Sequence, residues 1–301
     1  MFLDFKFIRH SKLSITLVLA LLLAWFSQTA SAQYTGLILT NGMVQVEGDI
    51  ITTPQRAAAL LGQSAGGVHP NFSFTPSRLW PNSIVPYDFD SDVSVGQKNY
   101  FLAAMSAWAN SFPGVATLSF IPRNNDSAYI HFQTATVTNL GFSGGTTDNV
   151  GYDGDVVTIK ISSDGAVSNV FLIAHEVGHA LGLWHEQSRD DRDNYITILT
   201  ANIQSGYSSQ FAKQTPESTF GPYDYDSIMQ YFACAFSKCN GQSPNPRCAC
   251  ADANCITMQA AYSAQQCNLG QQSHLSAMDM RGMAFMYGPS VWRFLYVKPG
   301  S

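Results

Sequence analysis

The chain has 301 residues, 46% of them apolar and 12% charged, and a formal net charge of −5. That length supports one sizeable core or two small ones. The negative balance comes with no basic stripe, which excludes nucleic acid as an expected partner.

Residues 1–32 have the layout of a secretory signal. Lys6, Arg9 and Lys12 form a positive start, residues 13–26 a short apolar run, and Ala30-Ser31-Ala32 a small-residue cleavage site before Gln33. The apolar run is short for a membrane span. The expected product is therefore secreted, to the periplasm or outside the cell, with no membrane attachment after cleavage. Residues 33–70 hold the stretch VQVEGDI (44–50), an Ala-rich patch and a Gly-containing loop. From Leu79 onward the texture is globular.

Residues 83–89 are expected to form a strand near a sheet edge, because Pro86 interrupts it. Residues 95–112 follow as a helix, with Val95, Phe101, Leu102, Met105 and Trp108 largely on one side. Residues 117–121 and 128–133 look like strands, and the Gly-rich 140–154 like a loop with room for a short edge strand. In residues 156–162, Val157, Ile159 and Ile161 alternate with Thr158, Lys160 and Ser162, the pattern of a half-buried strand. A helix then starts at Asp164 or Ser168 as N-cap and ends near Leu181. Residues 200–213 are expected to be helix and then loop. Ser276 with Asp279 three later predicts a capping box opening a final helix to about Tyr287. Strands and one helix first, then a second helix and mostly irregular chain, suggest an α+β domain divided by a cleft at that second helix.

All six cysteines fall at 234, 239, 248, 250, 255 and 267. In an exported chain such an even, local cluster reads as disulfides stapling an insert. A second metal site on Cys248, Cys250 and Cys255 is the alternative.

The densest chemical signal is AHEVGHALGLWHEQSRDDRDNYI, residues 174–196. His175 and His179 are four apart, so a helix stacks them on one face where both imidazoles reach one ion. Glu176 lies beside them, placed to take a proton from the water that such an ion activates. A continuing helix would carry His185 to the wrong side. Gly182 can adopt the left-handed conformation that stops the helix and turns the chain back. His185 then completes a three-nitrogen site with an open fourth position, the pattern of one catalytic Zn2+ rather than a structural one. The extended spacing is the metzincin form of the motif.

With these residues in view, the chain resembles the astacin-family zinc metalloendopeptidases, here of a bacterial-type secreted precursor. The resemblance rests on the third His followed by Glu and an R-x-D-R-D-x-Y run, and on DSIMQY (226–231), similar to that family's Met-turn. It extends to RLWPNSIVPYDF (78–89), FIPR (120–123) and LSAMDMRGMAFMYG (275–288), so it covers about 71–288. It implies a metzincin, astacin-like catalytic domain. A twisted mixed sheet and the zinc helix make the N-terminal subdomain, a mostly irregular disulfide-containing part makes the C-terminal one, and the active-site cleft lies between. Met229 would form the apolar floor under the histidines. Tyr231 would approach the metal from the far side as a possible fifth ligand and help stabilise the oxyanion. Gln230 stands where the family usually has His. Glu186 would tie to the N-terminus of the mature chain, and VEGDI would be the prosegment motif whose Asp49 ligates zinc in the zymogen only. Thr117, Gly141 and Val167 stand where three of the family's usual cysteines would fall, so its two domain-spanning disulfides are expected to be missing.

The expected organisation is then a signal peptide (1–32), a propeptide (33–70, its end between 68 and 78), a catalytic domain (71–289) with a Cys-rich insert (234–267), and a tail (290–301). The expected partners are protein or peptide substrates and an activating protease, and the chain is expected to be a monomer. The reading from another class is a catalytically silent secreted binding or adhesion module on this scaffold. Intact Glu176 and three intact histidines oppose it, since binding alone needs no base.

Overall fold

The alternating strand at 157–162 lies inside a sheet and sets the order of everything around it. In the computed structural model the described residues are 38–40, 42–61, 76–110, 118–140, 144–214, 221–239 and 254–288. They belong to one compact unit. The upstream stretch gives β1 (Ile38–Thr40), β2 (Met43–Glu47), β3 (Ile50–Thr52) and α1 (Pro54–Leu61). Next come β4 (Ile84–Phe89), α2 (Val95–Ala109), β5 (Ser119–Pro122), β6 (Ile130–Ala135), β7 (Gly145–Thr147) and β8 (Val157–Ser162). The central helix α3 spans Val170–Ala180, β9 Ile196–Ile198, β10 Met258–Ala260, and the closing helix α4 Ala277–Tyr287.

One eight-stranded mixed sheet runs β1-β2-β3-β7-β8-β6-β4-β5, and β9 with β10 forms a second, two-stranded one. The strands β8, β6, β4 and β5 are mutually parallel, whereas β7 runs antiparallel to β8. Val157, Ile159 and Ile161 are fully buried, as the alternation requires. They share a core with Phe101, Met105 and Trp108 of α2 and Ile173 and Val177 of α3. Trp108 Nε1 donates to Ala174 O at 2.7 Å, pinning the two helices together.

Several expectations need correcting. Strand β4 is not an edge, because β6 and β5 flank it. Pro86 is tolerated because the β4–β6 ladder begins only at Tyr87 opposite Ile130, so the missing N–H falls before it. On α2 the buried face is Phe101, Ala104, Met105 and Trp108, with Val95 77% exposed at the first turn and Leu102 40% exposed. Residues 200–213 hold two short 3-10 turns, Thr200–Asn202 and Ser208–Phe211, in place of a helix. The N-cap of α3 is Asn169, whose Oδ1 accepts from Phe171 N and Leu172 N, both at 3.1 Å. Asp164 instead caps the preceding turn, Gly165–Ser168.

The short strand expected at an edge, β7, is internal. Its far side is covered by β3, paired through Ile50 and Thr147. The stretch 38–61 is thus built onto the sheet rather than trailing from it. VEGDI is both a motif and an ordinary hairpin turn, since Gly48-Asp49 links β2 to β3. Helix α1 adds an anchor: Arg56 donates to Asp153 Oδ2 at 3.0 Å and to Val156 O at 2.7 Å, and pairs with Asp148 at 3.2 Å.

The C-terminal half is mostly turns around a second core containing Phe211, Tyr223, Tyr225, Tyr231 and Met258. Cys239 is bonded to Cys255, which removes Cys255 from the alternative metal site. Cys234 and Cys267 are also in disulfides, and no described cysteine is free. Val167 packs in the first core. The signal-like stretch, residues 62–75, His69, Thr117, Gly141, Cys248, Cys250 and the tail lie outside the described residues. Among the described residues no helix is long and apolar enough to cross a membrane.

Candidate metal centre

Helix α3 delivers its side chains to the cleft because both of its ends are tied down. At the C-terminal end, where backbone carbonyls lack partners, Trp80 Nε1 donates to Ala180 O at 2.8 Å and Tyr287 Oη to Leu181 O at 2.7 Å. Gly182 follows at φ +108°, which no side chain adopts without strain. The reversal lets Leu183 N return to Gly178 O at 3.0 Å and carries His185 back toward the helix face.

The three histidines meet as the sequence predicts. The Nε2 atoms of His175, His179 and His185 stand 3.2, 3.2 and 3.3 Å apart. Two nitrogens bound to one zinc at ~2.0–2.1 Å in tetrahedral array stand roughly 3.3–3.4 Å apart, so the triangle fits that ion. Each ring is oriented through its other nitrogen: His175 Nδ1 lies 2.7 Å from Ile228 O, and His179 Nδ1 2.7 Å from Leu183 O. His185 Nδ1 lies 2.6 Å from Glu47 Oε2.

Asp49 enters the open side. Its Oδ2 is 2.9 Å from His175 Nε2, and its Oδ1 is 3.3 Å from His179 Nε2 and 3.1 Å from His185 Nε2. These four residues form a group whose ligand atoms lie within 4.8 Å of one another. Burial opposes ionisation of Asp49, yet attraction from His185 and His175 holds its carboxyl well below the usual range. Burial and the neighbouring His185 bring His179 down to about 4, while Asp49 and Glu47 overcome burial to hold His185 at about 10.

Glu176 is 2% exposed, and Oε2 accepts from Thr147 Oγ1 at 2.7 Å. Burial first, then repulsion from Asp49, pushes its carboxyl well above the ordinary range while the upstream stretch is in place. Met229 is buried beneath α3, and Gly178 makes room for it, since a Cβ there would lie 2.6 Å from Met229 Sδ. The ring of Tyr231 is 4.3 Å from that of His185, and its buried hydroxyl has no hydrogen-bond partner among the described residues. Gly48 passes so close that a Cβ would collide with that hydroxyl. Gln230 turns away from the metal position, accepting from Tyr223 Oη at 2.5 Å. Glu186 is fully enclosed and accepts from Arg189 Nη1 and Asp224 N, both at 2.8 Å. Burial still raises its carboxyl to about 7. Arg189 also pairs with Asp191 at 2.7 Å, and Arg192 Nη1 donates to Gln187 O, so this charged run is structural. His131 and His274 pair with Asp88 and Asp226, away from the cluster.

Sequence reasoning missed three side chains that position the site. Thr147 sits in a Gly-rich stretch with no motif, and only the β7–β8 pairing brings it to Glu176. Glu47 has no signal beyond its place in VEGDI. Asp279 is legible as a helix cap, but its carboxylate also accepts from Ile228 N at 2.8 Å and Ser227 Oγ at 2.6 Å, fixing the turn that carries Met229. A Thr147→Val variant should lose about tenfold in kcat, the scale of one hydrogen bond to a charged group, with zinc content unchanged. Unaltered turnover would show that Thr147 serves only the backbone.

Residues 73–288 match the model of the Astacin peptidase family. The chain is 31% identical over 247 residues to "Nematocyst expressed protein 6" of Nematostella vectensis, covering 80% of this chain and 76% of that protein. It is 35% identical over 167 residues to "Zinc metalloproteinase nas-39" of Caenorhabditis elegans, covering 54% of this chain and only 16% of that much longer protein. The solved structure of high choriolytic enzyme 1, a hatching enzyme zinc-protease from medaka, superposes with a TM-score of 0.58 at 25% identity, covering 75% of this chain and 98% of that one. These are animal proteins, and they give the expected bacterial-type precursor no support. The histidine triad with two members on one helix, the glycine turn that returns the third and a match spanning most of the chain agree: it belongs to the astacin family of zinc metalloendopeptidases.

Proposed function

We propose that the chain is a secreted zinc endopeptidase made as a latent precursor, which hydrolyses peptide bonds of proteins once its upstream segment is removed. The observation that carries this reading is the convergence of three Nε2 atoms and one Asp49 carboxylate on a single point beside buried Glu176. Zinc, when bound, polarises the scissile carbonyl and lowers the pKa of its water toward about 7.

The chain's own residues do the rest. Glu176 accepts the proton of the attacking water and passes it to the leaving amine, with Thr147 holding one of its oxygens. The Tyr231 hydroxyl, which has no hydrogen-bond partner among the described residues, is available to donate to the oxyanion. Asp49 occupies the side from which a substrate carbonyl would come, and β3 covers the β7 edge beside it.

Activation then requires cutting the chain between residues 68 and 79 by a separate protease. The Arg78–Leu79 bond suits a trypsin-like activator, but Arg78 is 6% exposed and its Nη1 donates to Asn149 at 3.1 Å. A cut nearer Asn71 avoids opening that contact and would leave the longer arm that a tie between the new N-terminus and Glu186 calls for. The enclosed, raised carboxyl of Glu186 can accept a second cation, and the new N-terminus would supply it. Secretion is supported by the signal-like start.

The test is digestion of casein by the processed protein, with and without a zinc chelator. Cleavage that the chelator abolishes and added zinc restores is expected. Casein left intact by a zinc-loaded, processed protein would instead favour a silent binding module.

A further inference from the structure

Each zinc-facing imidazole is steered by an acceptor at its Nδ1, but the three acceptors differ in origin. Ile228 O serves His175 and Leu183 O serves His179, both backbone groups downstream of residue 79, one beside Met229 and one in the turn after the helix. His185 relies on Glu47, 138 residues upstream, at 2.6 Å. The two side chains are 0% and 1% exposed, and Glu47 Oε1 has no partner among the described residues.

A histidine that ligates through Nε2 must carry its proton on Nδ1, and the acceptor there sets the tautomer, the ring orientation and the ligand's basicity. A carboxylate does this more strongly than a carbonyl, because the hydrogen bond is charge-assisted. Burying a carboxylate with one oxygen unpaired is costly, so hairpin stability does not explain Glu47. The turn has its own closure, Gln45 Nε2 donating to Gly48 O, and its own ladder. What Glu47 touches is the third ligand.

We propose that Glu47 is a positioning residue that orients and strengthens the third zinc ligand only while the upstream segment is in place. The segment would then hold the metal in the precursor through Glu47 as well as close the site through Asp49. Its removal leaves His185 without that acceptor, and zinc becomes easier to lose. This rests on the reading of the upstream stretch as removable and of the histidines as zinc ligands, and is independent of the Asp49 latch.

The experiment uses the full precursor carrying Glu176→Gln, which cannot process itself, with and without Glu47→Gln. Zinc loss to a competing chelator is followed by metal analysis, and the cobalt(II)-substituted proteins are compared by their visible absorption bands. Glu47→Gln should speed zinc loss by about 10–100-fold, the scale typical of a lost outer partner, and shift the cobalt bands. If that variant fails to fold, Glu47→Met, which keeps the volume, gives the same two readouts. Unchanged zinc loss would overturn the proposal. So would faster loss with an unchanged cobalt spectrum, because the hairpin would then merely shield the site. A precursor that takes up no zinc would overturn it together with the zinc reading. Binding of a small chelating inhibitor to an Asp49→Ala precursor in the same background reports on the latch separately. Failure of that arm alongside a Glu47 effect refutes the latch and leaves Glu47 standing.

Discussion

Replacing Glu176 with glutamine should leave the zinc site and the fold in place and lower kcat/KM by about 10²–10⁴, the usual worth of a positioned general base. In free energy that is roughly 3–5 kcal/mol of lost transition-state stabilisation. The substitution is nearly isosteric, and the amide oxygen can still accept from Thr147 Oγ1, which now lies 2.7 Å from the carboxylate. The site therefore keeps its shape and loses only its proton acceptor. Zinc content of the purified variant should match the parent, because Glu176 is not among the converging ligands. Near-normal hydrolysis by a metal-loaded, processed variant would sink the assigned role.

The second large effect concerns the precursor. Asp49→Ala should raise basal hydrolysis of a short peptide more than about tenfold, since a tethered ligand competes at a millimolar or higher effective concentration. The rise should stop short of the processed enzyme. Ile50 still pairs with Thr147, and Arg56 still clamps α1 to Asp153 and Asp148, so the segment keeps covering β7. Small chelating inhibitors need no strand edge and should bind the variant well. A precursor already fully active with Asp49 intact, or silent and closed to inhibitors after Asp49→Ala, would refute the latch.

The catalytic core of this protein is legible in the sequence because its determinants are local. The four-residue step from His175 to His179 and the glycine stop at Gly182 are properties of one helix and its end, so spacing alone assigns them. The same holds for the buried alternation of β8 and the capping box of α4, each written within a single element. Asp49 was within reach of motif reasoning because VEGDI is contiguous.

Tertiary structure decided the rest, where partners are remote in the chain. Pro86 argued locally for an edge, but strand order and the start of the β4–β6 ladder placed it inside the sheet. Leu102 fits a helical stripe by spacing, yet the face that meets α3 is chosen by the partner's position rather than by the helix's own period. Thr147 reaches Glu176, Asp279 braces the turn beneath the histidines, and Glu47 reaches His185 only after the sheet has ordered β3, β7 and β8 side by side. A single side chain's hydrogen-bond partner leaves no periodic trace in a sequence. It follows from strand register and helix docking, which are settled by burial over the whole domain.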